Sequence, residues 1–123
     1  MHILIVDDDA LSAELAAMLL EEQGHSYALA GNGLEALAMI EANGDIELVI
    51  SDLNMPLMSG LELFETLRDQ GWSLPFVLLT GDDPAPLLAA QPGLAGALAK
   101  DAALLERLPA LVERLAAAPP PEG

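Results

Sequence analysis

No cysteine occurs in the 123 residues. Disulfides and thiolate metal sites are therefore excluded, and a reducing compartment is compatible with the chain. Positive charge is scarce as well: 4 Lys and Arg stand against 20 Asp and Glu, for a formal net charge of −16. The cations Arg68, Lys100, Arg107 and Arg114 are too few to build a basic patch. Direct binding of nucleic acid or of an anionic membrane is thus not expected, whereas cations and basic partner surfaces are favoured. Hydrophobic residues make up 53% of the chain, yet no apolar run approaches membrane-spanning length. No basic leader with a cleavage site precedes the first apolar run. These absences lead to the expectation of a soluble, cytoplasmic, single-domain protein with a core of ordinary size.

What is present is an alternation of strand and helix patterns. Residues 3–6, 26–30, 47–51, 76–79 and 94–99 read as strands, bounded by turn residues. Between them lie helical spacings: residues 11–20 stopped by Gly24, residues 34–40 closed near Gly44, and residues 61–67 ended by Gly71. Residues 84–91 predict a short helix at best, because Pro92 and Gly93 end it. A long Leu/Ala helix is predicted over residues 102–118, with Pro109 kinking it or splitting it in two. Near-continuous apolar strands in a (βα)5 order imply an α/β fold, a doubly wound parallel five-stranded sheet covered on both faces. Residues 1–118 form the domain, and residues 119–123 form a Pro-rich tail.

Chemistry collects at the strand ends. Asp52 ends the third apolar run, and Asp7-Asp8-Asp9 ends the first. Thr80 and Lys100 close the fourth and fifth strands. Open α/β sheets place ligands at the carboxyl edge of their strands, so one edge gathers all of these groups. Clustered carboxylates repel, and must bind a cation or shift their pKa values. Two or three of them suit Mg²⁺, which takes oxygen ligands. Lys100 adds a point charge and Thr80 a hydroxyl donor for an anionic oxygen. Together these groups point to phosphoryl transfer onto a carboxylate. The remaining polar residues read as ordinary. Asp9 is a helix N-cap or first-turn charge, and His2 and His25 are surface residues. Met55 and Met58 pack a loop, and Trp72 anchors another.

The motifs Val6-Asp7-Asp8-Asp9, Asp52-Leu53-Asn54-Met55-Pro56-Leu57-Met58-Ser59-Gly60, Leu79-Thr80-Gly81 and Lys100-Asp101 occur together. With them the chain resembles the receiver domain of two-component response regulators over residues 1–118. The resemblance implies the flavodoxin-like strand order 2-1-3-4-5. It implies that Asp52 accepts a phosphoryl group from a sensor histidine kinase or histidine phosphotransfer protein, and that an unknown downstream protein reads the result. Mg²⁺ would be held by Asp8, Asp52 and the Asn54 main-chain carbonyl, with Asp7 acting mainly through water. Thr80, Gly81 and Lys100 would surround the phosphoryl oxygens. Such a domain is not an enzyme beyond its own phosphotransfer and autodephosphorylation.

Three departures from that pattern stand out. Ala97 occupies the strand-five position where relatives carry an aromatic switch residue. Asp101 replaces the proline that commonly follows the lysine, so a trans Lys100–Asp101 bond is expected. The stretch from Thr80 to Lys100 is proline-rich and short, which predicts a stunted fourth helix. Two other functions compete. A haloacid-dehalogenase-type phosphatase would use Asp7-Asp8-Asp9 as its nucleophile motif, but it leaves Asp52 unexplained. A pseudo-receiver would keep the fold and signal without phosphate, as Ala97 would suit. The end of the chain near residue 118 leads to the expectation of a stand-alone receiver.

Overall fold

The computed structural model describes residues 1–117. The expected Pro-rich tail, residues 119–123, lies outside the described residues. Elements alternate in the order β1 (His2–Val6), α1 (Ala10–Glu22), β2 (Ser26–Ala30), α2 (Gly33–Ala42), β3 (Leu48–Asp52), α3 (Gly60–Asp69), β4 (Phe76–Thr80), α4 (Ala85–Ala90), β5 (Gly96–Ala99) and α5 (Leu104–Ala117). The sheet has five strands in the order β2-β1-β3-β4-β5, and every pairing is parallel. This is the doubly wound order predicted above.

Side-chain alternation divides the strands between two cores. Ile3, Ile5, Leu48, Ile50, Val77 and Leu79 face α1 and α5, where Leu20, Leu108 and Val112 cover them. Leu4, Val6, Val49, Phe76 and Leu78 face the opposite side, beneath Ile40 of α2 and Leu63, Phe64 and Leu67 of α3. Phe64 and Phe76 meet edge to face at 5.4 Å, a geometry favoured by the ring quadrupoles. Central strands β3 and β4 are buried at every residue, as a sheet covered on both faces requires.

Helix ends follow local chemistry. Asp9 and Asn32 cap α1 and α2 by accepting from Leu11 N and Glu35 N. Ser59 and Glu62 form a reciprocal capping box at the start of α3. Gly24 and Gly71 follow α1 and α3 at φ of 90° and 88°, where a side chain would be strained. The short α4 is as stunted as predicted: it spans six residues and buries none of them.

The prediction for Pro109 needs correction in one respect. Helix α5 runs through it without division, so there is one helix and not two. Leu108, Leu111 and Val112 are buried against the sheet on one stripe, and that packing holds the turns on either side of the proline together. The Gln23 side chain also donates to the Pro109 carbonyl at 2.9 Å, tying the end of α1 to the helix. The helix begins at Leu104 and not at 102, because Asp101 first makes a turn. Its Oδ1 accepts from Ala103 N at 2.9 Å and its carbonyl from Leu104 N at 3.0 Å. No cis peptide bond occurs among the described residues, in line with the expected trans Lys100–Asp101 bond. No helix of the described residues is long and apolar enough to cross a membrane.

Candidate functional site

The parallel register brings the strand tips to one edge. Asp52 is the last residue of β3, Asp7 follows β1, Thr80 ends β4 and Lys100 follows β5. Asp7 and Asp52 are buried, at 6% and 8% exposure, while Asp8 is exposed. The three carboxylates each offer one oxygen within 4.8 Å of the others. An all-oxygen set of this kind suits a hard divalent cation such as Mg²⁺.

Lys100 lies between two of these acids. Its Nζ is 3.2 Å from Asp7 Oδ2 and 3.1 Å from Asp52 Oδ2. Burial works to lower the Lys100 pKa, but hydrogen bonds and charge from Asp52 and Asp7 outweigh it and raise it above 10.5. The ammonium is thus firmly charged. The Lys100 main-chain N–H donates to the Thr80 carbonyl at 2.7 Å, which sets β5 beside β4 at this edge.

Thr80 is buried, and its hydroxyl accepts from Asp82 N at 3.1 Å. A hydroxyl also carries one proton to donate, and among the described residues no hydrogen bond uses it. Gly81 follows on the exposed loop. Asp7 Oδ1 accepts from Asp9 N at 2.9 Å, and Asp9 itself caps α1, as expected. Asn54 sits on the exposed loop after β3. In that loop Met58 N donates to Pro56 O at 2.8 Å, a three-residue turn whose centre, Leu57, has φ of 71°.

The structure thus brings Lys100 into contact with Asp7 and Asp52 and an Asp8 oxygen within 4.8 Å of theirs, while Thr80 ends β4, Gly81 follows it and Asn54 follows β3 at the same edge of the sheet. Ala97 is not at this edge: it is buried in the core on the α2/α3 side of the sheet. Met55, Met58 and Trp72 pack against that same core, matching their reading as loop anchors. His2 and His25 lie elsewhere, bonded to Ser26 Oγ and to the Met1 amine. Sequence reading missed Ser51, a fully buried hydroxyl beside Asp52 whose only signal is a polar residue inside an apolar run. It also missed a groove of about 200 Å³ beside the site, between α1 and α5. Leu15, Leu19, Leu104 and Leu105 line it, and Asp7 and Lys100 stand at one end.

The sequence matches the profile of the family described as response regulator receiver domain across residues 3–113. The chain belongs to that family. Response regulator MprA of Mycobacterium avium is 42% identical over 83 residues, which is 68% of this chain and 36% of that protein. The transcriptional regulatory protein GlrR of Escherichia coli is 35% identical over 101 residues, 80% of this chain and 22% of that protein. The receiver therefore spans about a third or less of the length of these relatives. Among solved structures, the response regulator TrrA of Thermotoga maritima in complex with Mg²⁺-BeF superposes with a TM-score of 0.82. It is 31% identical, and the match covers 93% of this chain and 97% of TrrA. Membership in the receiver family displaces the dehalogenase-type reading.

Proposed function

We propose that the receiver accepts a phosphoryl group on Asp52 from the phosphohistidine of a sensor kinase or histidine phosphotransfer protein. One observation carries this: a buried Asp52 carboxylate 3.1 Å from Lys100 in a cluster with Asp7 and Asp8. An Asp52 oxygen attacks phosphorus, the P–N bond breaks, and the electron pair leaves with the imidazole. Asp8, Asp52 and the Asn54 carbonyl would hold Mg²⁺, with Asp7 near it, and the ion would supply charge neutralisation for the phosphoryl oxygens. Lys100 moves from the carboxylates toward the new anionic oxygens, and Thr80 donates its unused hydroxyl proton to one of them. The Gly81 main chain flanks the same position. The apolar groove beside the site suits a helical partner that presents the phosphohistidine.

A second reading, signalling without phosphate, draws on Ala97. A methyl group has no rotamer with which to report a change at the site. Incubation with Mg²⁺ and acetyl phosphate, followed by intact mass, separates the two. Phosphoacceptor function gives a single added phosphate, absent in Asp52→Asn. Labelling of Asp52→Asn at the wild-type level refutes the assignment, and an unlabelled wild type favours the phosphate-independent module.

A further inference from the structure

Ser51 is fully buried in β3, a strand that otherwise carries Leu48, Val49 and Ile50 before Asp52. A hydroxyl in such surroundings is costly unless it is bonded. Val49, two residues earlier on the same face, belongs to the core beneath α3, whereas Leu48 and Ile50 share the α1/α5 face with Asp52. Ser51 therefore projects away from the carboxylate cluster and cannot touch its ligands. Its Oγ instead donates to the Asp52 main-chain carbonyl at 2.9 Å.

That bond completes a clamp. The peptide joining Asp52 to Leu53 has its oxygen held by Ser51 and its N–H held by the Leu79 carbonyl at 2.8 Å. The next carbonyl, Leu53 O, accepts from Gly60 N at 2.9 Å. Gly60 has no room for a side chain, because a Cβ there would run into the Asp52 carbonyl, Leu78 and Ser51 Oγ. The start of α3 thus closes directly over the serine hydroxyl.

We infer that Ser51 is a positioning residue: from the opposite face of the sheet, its hydroxyl fixes the Asp52–Leu53 peptide. It thereby sets the direction of the Asp52 side chain and the path to the Asn54 carbonyl. The inference rests on the proposed phosphoacceptor site and extends it to a residue outside the cluster. Without the bond the peptide plane can turn, and the Asp52 oxygens lose their alignment with Asp7 and Asp8. Partners one step removed from metal ligands typically change affinity by about tenfold or more when removed.

The test uses the whole chain with Ser51→Thr and Ser51→Val, which share a shape and differ in the hydroxyl, together with Ser51→Ala. Three quantities are read: Mg²⁺ affinity by calorimetry, the rate of Asp52 labelling by acetyl phosphate, and amide exchange of Leu53 in metal-free protein. The Val and Ala variants should bind Mg²⁺ about tenfold more weakly, label about tenfold more slowly, and exchange Leu53 faster than any change in global stability accounts for. Ser51→Thr should stay near wild type in all three. Equal behaviour of the Thr and Val variants overturns the inference, and if that pair does not fold, a wild-type-like Ser51→Ala does the same. A wild type that binds Mg²⁺ but is never labelled defeats the phosphoacceptor reading alone, since affinity and amide exchange still report on Ser51. A wild type that binds no Mg²⁺ leaves Leu53 exchange to decide.

Discussion

At the scale of single residues, Lys100 bridges two carboxylates, Asp7 and Asp52. Replacing it by Met leaves Asp7 and Asp52 facing each other with no neutralising charge. Denaturant unfolding without metal should show a loss of about 1 kcal/mol, a modest value because the ammonium is partly exposed and screened. The linkage has a definite sign. A raised lysine pKa stabilises the fold fully below the unfolded value of 10.5, and that contribution disappears as pH climbs through the folded value. The gap between wild type and Lys100→Met should therefore narrow above pH 10.5, and a gap independent of pH would contradict the pairing. His25 behaves in the opposite sense. Burial first, then the neighbouring Met1 amine, lower its pKa below 6.5, with Glu47 opposing. Its contribution is present above pH 6.5 and is lost as pH falls through the folded value, and His25→Gln should flatten that acid limb of the stability curve.

At the scale of elements, the β3–α3 connection is tightly packed at Gly60, where a Cβ would meet the Asp52 carbonyl, Leu78 and Ser51 Oγ. Gly60→Ala should lower the thermal midpoint and slow Asp52 labelling together. The added methyl must push against the Asp52 carbonyl itself, and overpacking of this kind costs about 1–3 kcal/mol. Unchanged labelling in a folded Gly60→Ala protein would mean that the strand tip yields without consequence. Much at this level was legible in the sequence. Asp9 announces the start of α1 through side-chain chemistry that depends only on neighbours a few residues away, whereas the caps made by Asn32 and Ser59 came from the structure. The continuity of α5 through Pro109 was not, because the burial of Leu108, Leu111 and Val112 is a tertiary fact. The ends of β3 and β5 also shifted by a residue or two, since pairing partners set them. The carboxylate, hydroxyl and lysine positions could be read from strand ends alone. Which acids Lys100 touches, and what Ser51 holds, depends on distances that only the folded register supplies.

At the scale of the molecule, the charge surplus bears on stability. With a net charge of −16, part of the folding free energy is spent against self-repulsion, most sharply at the cluster of Asp7, Asp8 and Asp52. Mg²⁺ should raise the thermal midpoint, and at a free concentration ten times Kd the gain is about 1.4 kcal/mol. Asp8→Asn should be more stable than wild type without the ion and gain less from it. A midpoint indifferent to millimolar Mg²⁺ would refute a cation site. The two-sided sheet that brings these acids together was itself legible, because parallel strands buried on both faces must be apolar throughout. The parallel order β2-β1-β3-β4-β5, with a buried cluster on either face, bears this out.

Helix α4 has a practical consequence. It buries none of its six residues, and only Leu87 leans on the core, so the main chain between β4 and β5 is fastened at its ends and hardly between them. A chain so fastened accepts foreign sequence. A fluorescent or epitope cassette spliced in near Ala89 would hang outside the sheet, and the rest of the protein should still fold around it.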